Sequence, residues 1–260
     1  LSDAGGGFVW SGNSHENRLT PWLCQLVRDP VQERVTITEQ DGTSFDAIPR
    51  FRADGDRVRF GKGYAVFERD KQGTDRKIMS KLTVYAAADA PVKCTELTLR
   101  TEQDTMLTVS YQVSLAGFLP GRLPGKRVSG GCTVQDRVFV LCDGTPRKVS
   151  WENNTVLMKL EVRLRAEEAA TVCFYLGEGD GGNFLRGADL SLETVREEWE
   201  RLLGRIRIAT PEPSVDILMN GWLLYQVKSC RIDGRSGLYQ SGGAYGFRDQ
   251  LQDAVNMLLL

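Results

Sequence analysis

Alternating apolar and polar positions dominate the chain from residue 8 to residue 180. Every second residue is apolar from Leu107 to Leu115 and again from Val156 to Leu164, which is typical of half-buried β-strands. Less regular runs predict further strands at residues 58–67, 78–86, 92–100, 137–142 and 171–176. Turn sequences such as QDGT, ADGD and CDGT separate these runs. Because no helical period interrupts them, the pattern predicts a large antiparallel sandwich.

The hydrophobic period changes after this region. Apolar side chains recur at helical spacing from Leu192 to Ile206, with Ser191 as the predicted N-cap. A second helix is predicted at residues 215–230, whose sequence VDILMNGWLLYQVKSC is apolar nearly all round. A helix of that kind needs neighbours on both sides, as in a multi-helix barrel. A third helix is predicted to begin near Arg248.

These patterns predict a mainly β fold followed by α-helices. We place a sandwich domain at residues 1–186, a helical linker at 187–210 and the start of a helical barrel at 211–260. The chain opens on Leu1 and stops in the apolar stretch NMLLL, without the glycine or asparagine that usually follows a helix. We therefore expect the chain to be truncated at both ends.

Composition and charge narrow the possible functions. The chain has 260 residues and 41% hydrophobic composition, enough for a substantial core. Its 33 basic and 34 acidic residues leave a net charge of -1, which gives no general electrostatic reason to bind nucleic acid. The six cysteines form no CxxC pair, and there is no secretion signal and no long apolar run. We expect reduced thiols, a cytoplasmic location and no membrane contact from this segment.

The polar segment FRDQLQD, residues 247–253, is the main candidate for a binding site. On a helix, Arg248 and Gln252 are four residues apart, as are Asp249 and Asp253, so the four side chains can share one broad face. Carboxylates, guanidinium and carboxamides together suit sugar hydroxyls, which both donate and accept hydrogen bonds. The alternative is an ordinary solvated helix face.

Two other features are weaker candidates. His15 is the only histidine, and no nucleophile elbow accompanies it, so we expect a structural or surface role. The stretch around it, WSGNSHENRLTPW, is either a sugar-facing loop or the buried polar start of a strand. The glycine-rich sequence GEGDGG at residues 177–182 completes no nucleotide motif, and we interpret it as a flexible connection. We expect no metal site and no organic cofactor.

Three blocks resemble one enzyme family: WSGNSHENRLTPW, TPEPSVD and NGWLLYQVKSCRIDGRSGLYQSGGAYGFRDQLQD. They are similar to the inverting glycoside phosphorylases of glycoside hydrolase family 94, the cellobiose phosphorylase type. Within that family they most resemble the β-1,2-oligoglucan phosphorylases and the C-terminal part of cyclic β-1,2-glucan synthases. The resemblance implies a β-super-sandwich, a helical linker, the first helices of an (α/α)6 barrel, and a homodimer.

The resemblance also implies roles for particular residues. Arg248 and Asp253 would hold the transferred glucosyl unit, and Asp249 and Gln252 would shape that site. Weaker matches suggest four phosphate contacts: Arg231, Arg235, Gly242 and Gly243. The family's general acid is an aspartate in a GDWND-like motif, which is absent from these 260 residues. We expect that acid downstream of Leu260, and we expect this fragment alone to be inactive.

The implied reaction is the reversible phosphorolysis of a β-linked glucooligosaccharide to α-glucose 1-phosphate, with inversion. An inverting hydrolase needs both an acid and a base. Phosphate is already an anionic nucleophile, so an acid and a cationic cradle suffice, with phosphate as co-substrate. The alternatives are a non-catalytic carbohydrate-binding or dimerisation module, part of a cyclic β-1,2-glucan synthase, and an inverting glycosidase with a second catalytic carboxylate.

Overall fold

The structure is a computed structural model. It describes residues 7–12, 14, 17–21, 32–49, 53–72, 77–116, 125–134, 137–234 and 247–258. The strands within these residues are β1 Glu33–Thr38, β2 Ser44–Asp46, β3 Arg57–Gly61, β4 Tyr64–Gln72, β5 Lys77–Ala86, β6 Val92–Thr101, β7 Thr105–Ser114, β8 Gly125–Val128, β9 Gly131–Val134, β10 Val138–Cys142, β11 Lys148–Glu152, β12 Thr155–Leu164 and β13 Ala169–Glu178.

The strands form two antiparallel sheets, which confirms the predicted sandwich. One sheet has five strands in the order β11-β12-β7-β1-β2, and the other has eight in the order β3-β4-β5-β6-β13-β10-β9-β8. The two alternating runs of the sequence are neighbours in the smaller sheet, where Val109 pairs with Leu160 and Tyr111 pairs with Met158. This register puts the apolar residues of both strands on one face of the sheet.

The main core lies between the two sheets. Tyr111 of β7 stacks on Phe174 of β13 across this interface, with ring centroids 4.6 Å apart. Both side chains are fully buried, as are Leu107, Val109 and Val156. Each such side chain contributes about 1.5–3 kcal/mol when it leaves water, so the alternating strands account for much of the stability of the sandwich.

Helices follow the last strand, as the sequence predicts. Their bounds are α1 Gly181–Gly187, α2 Leu192–Leu203, α3 Pro213–Ile217, a first π-helical turn Leu218–Trp222, α4 Leu223–Gln226, a second π-helical segment Val227–Asp233, and α5 Phe247–Met257. The predicted cap is confirmed, because the Ser191 hydroxyl accepts a hydrogen bond from the Thr194 backbone N–H at 3.3 Å.

Helix α2 packs on the outer face of the eight-stranded sheet. Val195 of this helix shares a second buried cluster with Phe139 and Leu141 of β10. The alternate residues of β10, among them Val138 and Val140, point into the main core instead. All five residues of β10 are therefore buried, because each face of the strand is covered by a different layer.

The sequence prediction of one strand at residues 58–67 is wrong. This run forms two strands, β3 and β4, joined by the turn Lys62–Gly63. Gly63 has a φ of 84°, which two-residue hairpin turns favour. A Cβ at this position would lie 2.4 Å from the indole nitrogen of Trp199, so the glycine also lets α2 approach the turn.

The predicted continuous helix at residues 215–230 is also wrong. The helical path breaks at Asn220 and Gly221, where Gly221 has a φ of 132°. The Asn220 side chain accepts a hydrogen bond from the Ile208 N–H at 2.7 Å and donates one to the Ile208 carbonyl at 2.8 Å. These two hydrogen bonds hold the helix break against the backbone of Ile208, before α3. Apolar periodicity alone does not predict such a contact.

The connection at residues 177–182 is more ordered than the flexible link we predicted. Strand β13 runs to Glu178 and α1 begins at Gly181. The Asp180 carboxylate accepts hydrogen bonds from the Gly182 N–H at 3.0 Å and from the Asn183 amide at 2.7 Å. An aspartate in this position caps the start of a short helix. The glycine-rich composition of the segment does not predict that helix.

Candidate functional site

An ion pair joins the two helical segments that carry the predicted site. Arg231 lies in the second π-helical segment and Asp253 lies in α5, and Arg231 Nε is 2.8 Å from Asp253 Oδ2. The side chains are 39% and 20% exposed, so the pair lies at the surface of the helical region and is open to a ligand. The structure thus brings together one residue predicted to bind phosphate and one predicted to bind sugar.

This pairing leaves binding capacity on both partners. A guanidinium has five N–H donors, and Arg231 uses only its Nε in the pair described here. The carboxylate of Asp253 has a second oxygen that is able to accept a hydrogen bond from a hydroxyl. A neighbouring cation, Lys228, is bound to both oxygens of Asp233 at 2.5 Å. Both cations are paired with one carboxylate, but Arg231 is better placed to meet an anion because its other guanidinium N–H groups remain as donors.

The remaining residues of FRDQLQD lie along the same helix. Arg248 and Gln252 are both exposed on α5, and Asp253 follows Gln252 by about 100° around the helix axis. Asp249 lies in α5 as well. The predicted candidates Arg235, Gly242, Gly243 and His15 lie outside the described residues.

The N-terminal motif contacts the end of the second π-helical segment. The Ser14 hydroxyl donates a hydrogen bond to the backbone carbonyl of Gly234, and the Ser14 carbonyl accepts one from Arg18 Nε at 2.8 Å. Asn17 Nδ2 donates to Glu178 Oε2 at 2.7 Å, and Ser14 is fully buried. Trp10, at the start of the motif, lines a cavity, but around Ser14 the structure favours the interpretation as a buried polar segment. It holds the site-bearing helices against the sandwich.

Glu178 is the anchor on the sandwich side of this contact. Burial alone would raise its pKa, but hydrogen bonds from Arg137, Asn17 and Ser11 outweigh that effect and lower the pKa below its ordinary value of 4.5. The Arg137 Nε lies 2.6 Å from Glu178 Oε1. The carboxylate is therefore ionised at neutral pH, and it binds both partners in that form.

Sequence reasoning missed an aromatic cluster beside the site. The Tyr225 ring stacks on Trp222 at 5.4 Å between centroids and meets Trp199 edge-on at 4.7 Å. The signal was present, because Trp222 and Tyr225 are three residues apart in a helical segment and so share a face. These two residues line one wall of a cavity of about 720 Å³ whose other wall is the sandwich.

Two negative findings concern the described part of the chain. It contains no group of three or more His, Cys, Asp and Glu residues arranged to hold a metal ion. None of its helices has the length and apolar character needed to cross a bilayer.

Two protein-family models match the chain. Residues 1–115 match the supersandwich domain of glycosyl hydrolase 94, and residues 198–260 match the catalytic domain of the glycosyl hydrolase 94 superfamily. The first match falls in the sandwich and the second in the helical region. The chain belongs to glycoside hydrolase family 94, with its supersandwich domain followed by the start of its catalytic domain.

Individual relatives are more distant and much longer. The cyclic beta-(1,2)-glucan synthase NdvB of Rhizobium meliloti (strain 1021) is 24% identical over 318 residues, covering 100% of this chain and 11% of that protein. The N,N'-diacetylchitobiose phosphorylase of Vibrio furnissii is 27% identical over 105 residues, covering 36% of this chain and 13% of that protein. Among solved structures, a putative kojibiose phosphorylase from the human microbiome has a TM-score of 0.43 and 11% identity, covering 74% of this chain and 27% of the other.

Proposed function

We propose that this chain is the front part of a glycoside phosphorylase that cleaves a β-linked glucooligosaccharide with inorganic phosphate and releases α-glucose 1-phosphate with inversion. The observation that carries the proposal is the match of its two regions to two successive domains of one family. The Arg231–Asp253 ion pair supports it, because a cation for phosphate and a carboxylate for sugar lie side by side.

Each site residue has a distinct task in this proposal. Asp253 accepts hydrogen bonds from hydroxyls of the glucosyl unit, and Arg248 donates to them from the exposed face of α5. Asp249 and Gln252 support that contact. Arg231 shares its donors between Asp253 and the incoming phosphate, with Arg235, Gly242 and Gly243 as further phosphate contacts.

The chemistry needs a single proton donor. The donor protonates the leaving glycosidic oxygen, while phosphate attacks the anomeric carbon from the opposite face of the ring. By the family resemblance this acid is an aspartate of a GDWND-like motif, which these 260 residues lack. We therefore assign the activity to the longer phosphorylase that carries this segment, and we expect none from the 260 residues alone.

The proposal extends to the linkage of the substrate, the oligomeric state and the location of the protein. Similarity to a cyclic β-(1,2)-glucan synthase over the whole chain favours a β-1,2-linked substrate. We propose a homodimer from the family resemblance. We also propose a cytoplasmic location, because Cys94, Cys132, Cys142, Cys173 and Cys230 form no disulfide in the described part of the chain. Titration of the denatured protein without reductant should recover all six thiols, and two stable disulfides would contradict that location.

The experiment is a substrate panel assayed with the phosphorylase that carries this segment. β-1,2-, β-1,3- and β-1,4-linked glucose disaccharides and longer oligomers are incubated with inorganic phosphate, and glucose 1-phosphate is measured. We expect phosphate-dependent release of the α-anomer, fastest from β-1,2 linkages. Release of free glucose without phosphate would indicate a glycosidase instead, and no release from any substrate would favour a non-catalytic carbohydrate-binding or dimerisation module.

A further inference from the structure

A cavity between the sandwich and the helical region has the composition of a ligand site. Its volume is about 720 Å³, which lies within the usual range of about 300–1,000 Å³ for small-molecule pockets. Residues of the N-terminal motif, the β3–β4 hairpin and α4 line it together. Neither Arg231 nor Asp253 is among its lining residues, so the cavity is separate from the proposed phosphorolysis site.

Aromatic residues from three parts of the chain line the cavity. Trp10 comes from the N-terminal motif, Phe60 and Tyr64 come from the hairpin, and Trp222 and Tyr225 come from the helical segment. Phe60 is 46% exposed, so its ring is accessible from the cavity. Flat rings on several sides suit a ligand that has flat apolar faces of its own.

Four polar residues, Gln32, Glu33, Lys93 and Thr95, form what we call the floor of the cavity. Its two charged residues, Lys93 and Glu33, form an ion pair with no net charge. Lys93 Nζ lies 2.6 Å and 2.5 Å from the two oxygens of Glu33, and both side chains are only 13% exposed. Because the two charges neutralise each other at short range, the floor offers little attraction to a free phosphate or a free ammonium group. A neutral ligand that donates and accepts hydrogen bonds fits this floor better.

Three buried polar atoms around the floor have no hydrogen-bond partner among the described residues. They are Gln32 Nε2, Thr95 Oγ1 and Tyr111 Oη. The residues are 5%, 2% and 0% exposed, and Gln32 and Thr95 line the cavity directly. Unsatisfied buried groups of this kind are rare in native proteins, and a ligand or an ordered water usually completes them.

Tyr111 lies just below the floor. Burial raises the pKa of its hydroxyl well above the ordinary value of 10, and the nearby Glu33 carboxylate raises it further. Tyr111 therefore keeps its proton at neutral pH and remains a hydrogen-bond donor. It lies close to Glu33 and Thr95, yet it forms no hydrogen bond of normal geometry with either.

We propose that this cavity is a second, non-catalytic sugar site that holds a neutral glucosyl unit of an oligosaccharide. The rings of Trp10, Trp222 and Tyr225 pack on the apolar faces of the pyranose, while Gln32 and Thr95 bind its hydroxyls at the floor. The site extends the chain's contact with an oligosaccharide beyond the residues of FRDQLQD. The proposal of this second sugar site does not depend on whether the longer enzyme catalyses phosphorolysis.

The test is a binding titration of the 260-residue chain with a β-1,2-linked glucose disaccharide. Tryptophan fluorescence is one readout, and the reaction rate of the Cys230 thiol at the cavity rim is another. We expect saturable binding that slows the modification of Cys230. Glucose 1-phosphate should bind no better than the disaccharide, because the floor is neutral.

Substitutions separate a ligand site from a structural cavity. Thr95→Val removes a hydroxyl at nearly constant shape and should weaken binding by about 2- to 13-fold, the effect of one neutral hydrogen bond. Thr98→Val is the matched control on the same strand, because its hydroxyl is paired with Thr171 at 3.1 Å and does not line the cavity. Tyr111→Phe should leave the thermal midpoint of the unliganded chain unchanged or raise it, since it deletes an unpaired hydroxyl.

Three outcomes would overturn this proposal. The first is the absence of saturable change at any concentration that the solubility of the disaccharide allows. The second is equal weakening by Thr95→Val and Thr98→Val. The third is binding that Asp253→Asn abolishes and Thr95→Val spares, which would place the disaccharide at the phosphorolysis site. Failure of phosphorolysis in the longer enzyme would not produce any of these results.

Discussion

The sandwich and the helical region bury their apolar side chains to very different extents. Alternate residues of β7 and β12 are almost completely buried between the two sheets. Beyond α2, several large apolar side chains stay exposed: Val215, Ile217, Leu218, Met219, Leu223, Leu251, Val255 and Leu258. Hydrophobic periodicity predicts the element in both regions, but burial requires a second surface. The sandwich provides that surface from its own second sheet, and the helices described here do so only in part.

The most direct test of this difference in burial is the same substitution, leucine to alanine, in both regions. Leu107→Ala removes a side chain that is 0% exposed in the main core and should lower the free energy of unfolding by about 2–5 kcal/mol. Leu251→Ala removes one that is 53% exposed on α5 and should change it by less than about 0.5 kcal/mol. Urea denaturation followed by circular dichroism measures both.

Equal losses from the two leucine variants would contradict the comparison. They would show that α5 is as tightly packed in solution as the sandwich core. The m-value should also stay constant between the variants, because neither changes the surface exposed on unfolding by much.

A smaller effect is expected where the two regions meet. Gly221 has a φ of 132°, and a Cβ there would lie 2.6 Å from Lys62 Nζ of the β3–β4 turn. The lysine is able to move, so backbone strain should dominate, and Gly221→Ala should cost about 1–3 kcal/mol. Gly187→Ala is the matched control, since nothing lies within 4 Å of a Cβ there and its φ is not positive. Differential scanning calorimetry should show a lower midpoint for the first variant only.

The smallest effect concerns Glu178, which joins the N-terminal motif to the sandwich. A carboxylate whose pKa is lowered on folding adds stability above its ordinary pKa of 4.5, and this stability is lost as pH falls through the lowered value. Glu178→Gln should therefore destabilise the chain at pH 7 by less than about 1 kcal/mol. The difference from the unmodified chain should shrink as the pH is lowered below 4.5. A difference that stays constant with pH would show that shape, and not charge, matters at this position.

Much of the fold was predictable because the central strands are buried on defined faces. The runs from Leu107 to Leu115 and from Val156 to Leu164 bury every second side chain. Their sequences therefore alternate between apolar and other residues, and this alternation is visible without a structure. The edge strands β2, β8 and β11 bury little and leave no such signal. Space for a side chain is lacking at Gly63 and Gly221 because of Trp199 and Lys62, which are distant in sequence.

The candidate site was predictable only in its residue types. A helix beginning near Arg248 follows from local sequence, and the structure has α5 starting one residue earlier, at Phe247. The ion pair between Arg231 and Asp253 joins residues 22 positions apart, and local sequence patterns do not link residues at that separation. The cavity depends on Glu33 of β1 and on Lys93 and Thr95 of β6, and these two strands belong to different sheets. No spacing rule in the sequence links Glu33 to Lys93, because the packing of one sheet on the other brings them together.

The central claim is that FRDQLQD grips the glucosyl unit through Asp253, and it predicts a specific loss of catalysis. In the phosphorylase that carries this segment, Asp253→Asn keeps the shape and removes the charge. Charge-assisted hydrogen bonds are worth about 1.5–3 kcal/mol, so kcat/KM for phosphorolysis should fall by about 10- to 200-fold. Lys126→Ala, on the exposed edge strand β8, is the control and should change little.

The most direct measurement is therefore kcat/KM for glucose 1-phosphate formation, taken together with the thermal midpoint, in Asp253→Asn and Lys126→Ala. We predict that the first variant loses activity by the stated factor while its midpoint stays within a few degrees of the unmodified enzyme. Full activity of Asp253→Asn with a midpoint lowered by several degrees would contradict the account. The Arg231–Asp253 pair would then be a structural link between helices and not part of a sugar site.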